Sequence, residues 1–232
     1  MILQLETLIY QQQAIDAVLG VFEGQPRNNF ANSFLHTVQT NRCDLSLEEL
    51  RANTERVMIT NGLDPATSGH LETVEEFAAR RDFCIEMETG TGKTLVYLRT
   101  LYELYERYGF SKFIILVPSV AIRAGILSTV AAFGDQLTAR YATKLDVFAY
   151  DSKKLGSIKN FVSSPTPQVM VATIQSFTSD AAILNKEGRD DSIDGLTYLE
   201  ALGRTSPIVI MDEPQEGMVR WSSYAGQFRA LS

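Results

Sequence analysis

Hydrophobic and polar positions follow two rhythms along this chain. Short apolar runs at 83–87, 112–117, 145–150, 168–173 and 207–212 are candidate strands, and the first, second and last of them are continuous rather than alternating. A strand buried on both faces reads this way, because neither side of its pleat meets water. Between the runs the period lengthens to that of a helix. Over 94–108, Leu95, Leu98, Leu101, Tyr102 and Tyr105 share one face, and Gly109 closes the segment. Further helices are predicted over 120–133 and, ahead of the first run, over 5–22. Strand and helix in turn predict an α/β fold with a mainly parallel, doubly wound sheet flanked by helices.

The stretch 23–75 breaks this rhythm. It is polar and rich in asparagine, and two capping boxes, Ser46 with Glu49 and Thr73 with Glu76, predict a partly helical insertion at the sheet edge. Residues 163–168 read as a loop, and 186–206 as largely irregular with a short helix around 196–202. No internal repeat or low-complexity tract is present.

Composition narrows the class. The chain has 232 residues, 45% hydrophobic and 21% charged, enough for one large domain or two small ones. A net charge of −7 and a pI near 5.0 argue against a small free-standing DNA-binding module, without excluding a local contact patch. Cys43 and Cys84 form no C-x-x-C pair, so neither a zinc site nor a disulfide framework is expected. Cys84, in an apolar run, is expected to be a buried thiol in a reducing cytoplasm. His36 and His70 stand alone and are expected to be ordinary core or surface histidines. No basic leader opens the chain, and no apolar run is long enough to span a membrane.

The chemistry concentrates in "CIEMETGTGKTLVYL", from Cys84 to Leu98. An apolar run that stops in glycines and restarts as a helix leaves a ring of backbone N–H groups at a positive helix end, a natural phosphate cradle. The full phosphate-loop pattern asks for glycine where Met87 stands. Its chemical half is intact. Thr89, Gly90, Thr91, Gly92, Lys93 and Thr94 would wrap the phosphates, with Lys93 on the β and γ oxygens and the Thr94 hydroxyl on Mg²⁺. A plain glycine turn would not require lysine and threonine at the helix start. Far downstream, "PIVIMDEPQ" ends an apolar run in Asp212 and Glu213. Asp212 would hold the magnesium and Glu213 would orient or deprotonate the attacking water. An acidic turn alone would mean little; with the glycine loop it predicts an ATP-hydrolysing site. Tyr97, Tyr102, Tyr105 and Tyr108 recur at helical spacing and predict packing rather than base stacking.

"TGTGKT" with the later D-E box resembles motifs I and II of superfamily 2 helicases and translocases. The words "METGTGKT", "VPSVAIRAG" and "MDEPQ" resemble the Res subunit of type III restriction enzymes, ATP-dependent DNA translocases, from "YQQQAIDAV" near the start to "DEPQ" near the end. The resemblance implies that 1–232 is a single, incomplete RecA-like ATP-binding domain of three layers, with a Q-motif-like helix at 5–22. Gln11 would then read the adenine edge, since an amide both gives and accepts a hydrogen bond; a surface glutamine is the alternative. Pro118, Ser119 and Arg123 match the motif Ia region, which contacts the tracked strand, and Thr173 opens a weaker match to a second nucleic-acid motif. Lys153, Lys154 and Lys159 read as a solvated cluster.

The resemblance also implies ATP and Mg²⁺ as cofactors and a cytoplasmic setting. Its implied partners are double-stranded DNA, a methyltransferase (Mod) subunit, and a second RecA-like domain and nuclease domain of the same polypeptide. Neither a Ser-Ala-Thr motif nor a second core follows Asp212 in these residues, so the chain is expected to be an N-terminal fragment that binds nucleotide but turns it over poorly. Competing expectations are a superfamily 2 DNA or RNA helicase without nuclease, a nucleotide-binding remnant or regulatory protein, and a P-loop kinase. Glu213 argues against a purely binding protein, and the lack of an arginine-rich lid against a kinase.

Overall fold

The structure is a computed structural model that describes residues 6, 8–28, 38–67, 77, 83–179, 181–184 and 195–212. It divides into two compact units, 1–27 with 43–104 and 28–42 with 105–232, and the division falls within one helix.

In the first unit, α1 (Ile9–Val21) buries Gln11, Ile15 and Leu19, a stripe at helical spacing, and its last residue Val21. Residues 5 and 7 of the predicted 5–22 helix lie outside the described residues. Helix α2 (Leu47–Thr60) starts at the predicted capping box: Ser46 Oγ accepts from Glu49 N–H, and the Glu49 carboxylate accepts from Ser46 N–H. Those bonds, the backbone one foremost, hold the Glu49 carboxyl below its ordinary range. Asn53 donates to the carbonyls of Val21 and Glu23, satisfying the open end of α1. Val21, Leu50 and Phe77 form a small core with Phe22 and Leu45 against it. The second predicted capping box, Thr73 with Glu76, lies outside the described residues, as do His36 and His70.

Helix α3 (Lys93–Tyr108) follows the glycine loop and ends at Gly109, whose N–H returns to the Tyr105 carbonyl. Tyr102 and Tyr108 are buried, as the helical spacing predicts. The strand predicted over 83–87 is a correction: these residues carry no regular structure, and Phe83, Cys84, Ile85 and Glu86 are exposed. The Cys84 thiol is therefore exposed rather than buried. An apolar run specifies a buried strand only when a ladder partner is supplied, and no strand is formed here.

The second unit is a four-stranded parallel sheet in the order β2-β3-β1-β4. Its strands are β1 (Lys112–Val117), β2 (Asp146–Ala149), β3 (Gln168–Thr173) and β4 (Ile208–Met211). Both β1 and β3 are buried along their whole length, which for β1 matches its unbroken apolar run, whereas β4, also an unbroken run, is only half-buried. Helix α4 (Val120–Tyr141) joins β1 to β2 and packs on the sheet. Helix α5 (Gly156–Ser163) lies between β2 and β3. The short helices α6 (Ile174–Ser179), α7 (Ala181–Leu184) and α8 (Tyr198–Arg204) lead to β4. One sheet face, with Ile114, Leu116, Met170 and Ala172, packs against Ile158, Phe161 and Val162 of α5 and Ala201 and Leu202 of α8. Each of the larger side chains, Ile, Leu, Met, Phe or Val, contributes about 1.5–3 kcal/mol by leaving water.

Helix α4 runs eight residues past its predicted end at Phe133, because Leu137 and Tyr141 carry the buried stripe through Gly134. Lys159, read as part of a solvated loop cluster, stands on α5 instead. The predicted 196–202 helix is α8, started by a third capping box, Thr197 with Glu200. Part of 23–75 also belongs to this unit. Gln39 N–H bonds the Val162 carbonyl, and Asn41 N–H bonds the Thr205 carbonyl. The Asn41 amide accepts from Ser111 and Lys112 N–H and donates to the Lys112 carbonyl. This strap crosses the amino-terminal end of β1, not the edge of the sheet.

Candidate functional site

The glycine loop is built by two left-handed glycines, Gly90 at φ +81° and Gly92 at φ +83°. Thr91 Oγ1 donates to the Glu88 carbonyl at 2.6 Å, closing the turn. The Gly92 carbonyl takes the first helical bonds, from Leu95 and Val96 N–H. Lys93 is thus the first residue of a 16-residue helix, at its positive end, with Thr94 beside it and both half-buried. Thr89, Gly90 and Gly92 are exposed, and a Cβ at Gly90 would meet open space. One ammonium, one hydroxyl and an open run of backbone N–H groups suit a magnesium-bound polyphosphate.

Helix α1 presses on this loop. Gln11, 5% exposed, donates from Nε2 to the Thr91 carbonyl at 2.9 Å, and the Tyr10 hydroxyl donates to the same oxygen at 3.2 Å. Gln11 Oε1 is buried and meets no donor among the described residues. A buried acceptor without a partner is costly and suits a ligand that brings an N–H. The adenine 6-amino group is such a donor.

In the second unit the remaining candidates gather at the carboxyl ends of the parallel strands, where open α/β sheets hold their ligands. Exposed Pro118 follows β1, and Ser119 caps α4 by accepting from Ile122 N–H. Arg123, one turn later, donates to the Tyr150 carbonyl beyond β2 at 3.3 Å. Thr173 ends β3, buried, with its Oγ1 2.6 Å from Ser176 Oγ. Asp212 follows β4, and its N–H bonds the Leu116 carbonyl at 3.0 Å. Glu213 lies outside the described residues.

The family model for the type III restriction enzyme res subunit matches residues 4–217. The chain belongs to this family. Its RecA-like P-loop fold accounts for the parallel sheet, the helices on it and the glycine loop. Among relatives, the Res subunit of the type III restriction-modification enzyme EcoP15I from Escherichia coli is 26% identical over 226 residues, covering 90% of this chain. That of EcoPI from Escherichia phage P1 is 24% identical over 229 residues, covering 91%. That of StyLTI from Salmonella typhimurium is 31% identical over 178 residues, covering 66% of this chain and 18% of the relative. The chain spans 23% of the length of the first two.

Within this Res-family chain, two residues that hold helix α1 escaped the sequence reading, one bonding the loop from α1 itself and one on α3. Tyr10 lay inside the Q-motif-like word, but nothing local signals that its hydroxyl reaches residue 91. Arg99 left a trace. Leu95, Leu98, Arg99 and Tyr102 fall on one helix face, so a charge stands in an apolar stripe, and the side chain is 2% exposed. Among the described residues no group of three or more His, Cys, Asp or Glu could hold a metal ion, and no helix is long and apolar enough to cross a membrane.

Proposed function

We propose that this chain is the ATP-binding first motor domain of a DNA-translocating type III restriction subunit, and that 1–232 forms one incomplete RecA-like domain. The observation that supports this most is the placement of Lys93 and Thr94 at the start of α3, behind two left-handed glycines, in a Res-family chain. Backbone N–H groups of residues 90–94 and the Lys93 ammonium hold the triphosphate. The Thr94 hydroxyl would hold Mg²⁺, with Asp212 the carboxylate that the resemblance to motif II implies as a further ligand, and the ion would supply charge neutralisation to the phosphates. Gln11 reads the adenine, and Glu213 orients the attacking water. Pro118, Ser119, Arg123 and Thr173 line the track for double-stranded DNA.

The setting is cytoplasmic. The second RecA-like domain, the nuclease and the Mod methyltransferase partner complete the machine, and ATP hydrolysis drives movement along DNA before cleavage. Titration calorimetry of this chain with Mg·ATP tests the reading. Weak binding with little DNA-stimulated turnover is expected, and Lys93→Ala should abolish the binding while leaving the sheet folded by circular dichroism. Unchanged ATP binding by Lys93→Ala would overturn the loop assignment. Strong DNA-stimulated turnover by this chain alone would overturn the need for a second motor domain.

A further inference from the structure

Helix α1 begins at Ile9 after Leu8, whose side chain gives no capping hydrogen bond. Its first turn is instead held by tertiary bonds from three consecutive residues. Tyr10 and Gln11 both donate to the Thr91 carbonyl. Gln12 accepts, through Oε1, a 2.7 Å bond from the buried Arg99 guanidinium. The Gln12 amide is oriented from its other end, where Nε2 donates to Asp16 Oδ1 at 3.0 Å. Successive helical residues point about 100° apart. Gln11 therefore faces the loop and Gln12 faces α3, and gripping both fixes the rotation of α1 about its own axis. A bond from a charged donor in a buried setting is among the stronger restraints a protein makes.

We infer that Arg99 is a positioning residue for base selection: by holding Gln12 it fixes Gln11 with Nε2 on the Thr91 carbonyl and Oε1 left to accept from the base. This rests on the nucleotide reading above. Adenine offers an amino group at position 6 and satisfies that acceptor. Guanine presents a carbonyl oxygen there and leaves two acceptors facing each other. Arg99 touches neither base nor phosphate; it acts through Gln12 and Gln11.

Inorganic tripolyphosphate separates the two layers of the proposal, because it engages the loop and has no base. Wild-type chain should bind Mg-tripolyphosphate and prefer ATP over GTP. Arg99→Met keeps an apolar stem of similar reach and removes the guanidinium. It should weaken ATP binding about tenfold, leave tripolyphosphate binding unchanged, and shrink the ATP-to-GTP ratio accordingly. Gln12→Met, at a half-buried site, should do the same and serves if Arg99→Met fails to fold. The double variant should lose no more than either single one, since both cut one linkage. Arg99 variants that keep the wild-type ratio, or that lose tripolyphosphate in parallel with ATP, would overturn the positioning role while the nucleotide site stands. Equal wild-type affinity for ATP and GTP would overturn it as well. A wild-type chain that binds neither tripolyphosphate nor ATP would remove the nucleotide reading itself.

Discussion

Gln11 Nε2 sits 2.9 Å from the Thr91 carbonyl, and a Cβ built on the next residue, Gly92, would fall 2.9 Å from that same nitrogen. The loop and helix α1 are therefore packed so closely that a methyl group has no room between them. Gly92→Ala meets two penalties, the φ of +83° and the collision with Gln11. Gly90→Ala meets only the first, because its Cβ would enter open space. The left-handed strain alone costs about 1–2 kcal/mol. Calorimetry with Mg·ATP should find Gly92→Ala at least tenfold weaker than Gly90→Ala, a gap of about 1.4 kcal/mol. Equal losses would mean that Gln11 does not bear on the loop during binding.

The legible parts of this fold are those whose signal is local. The runs at 112–117 and 168–173 read as buried strands and are buried at every position. Ser46 and Glu49 satisfy each other across one helical turn, so a capping box can be read from their spacing alone. The 83–87 run failed because hydrophobicity says nothing about which neighbour will supply a ladder. The predicted end of α4 at Phe133 falls short because the buried stripe resumes at Leu137 and Tyr141. For the site, the loop and its lysine were legible as a word. The bonds from Tyr10 and Gln11 to Thr91 cross some eighty residues of sequence, and no periodicity reports them.

Asn41 is a residue of this non-local kind. Its side chain, 6% exposed, satisfies two backbone N–H groups and one carbonyl at the start of β1. Removing it strands those groups in the interior, where each unpaired group costs about 1–3 kcal/mol. Asn41→Ala should lower stability by about 3 kcal/mol in urea unfolding, with the m-value unchanged. A loss under about 1 kcal/mol for Asn41→Ala would show that solvent reaches this strap.

Lys112 gives the second unit a pH dependence. Its ammonium is fully buried at the start of β1, donating to the carbonyls of Phe161 and Ser164 at 2.6 Å and lying 5.5 Å from the Phe161 ring centroid. Burial brings its pKa down from 10.5 to about 7. Below about 7 the folded and unfolded chains both hold the proton. Between about 7 and 10.5 the unfolded chain holds a proton that the folded chain has released, so unfolding takes one up and stability rises with pH. Lys112→Met should flatten that rise across the same window, measured as the difference between the two unfolding curves. Parallel curves for the two proteins from pH 7 to pH 10 would show that the ammonium keeps its ordinary affinity for protons.

Arg123 separates structural from nucleic-acid roles at the sheet's carboxyl end. Its guanidinium bonds the Tyr150 carbonyl at 3.3 Å, a long contact on a half-buried side chain. A bond of that length contributes little, so Arg123→Ala should leave the melting temperature nearly unchanged. A phosphate contact behaves differently, because each phosphate neutralised releases condensed counterions. If Arg123 grips the DNA backbone, Arg123→Ala should weaken binding about equally across sequences. The slope of log affinity against log salt should then become shallower by about 1. Fluorescence anisotropy with two unrelated duplexes over a salt series measures both quantities. An unchanged slope with a lowered melting temperature would place Arg123 in the fold alone, holding the end of β2 against the first turn of α4.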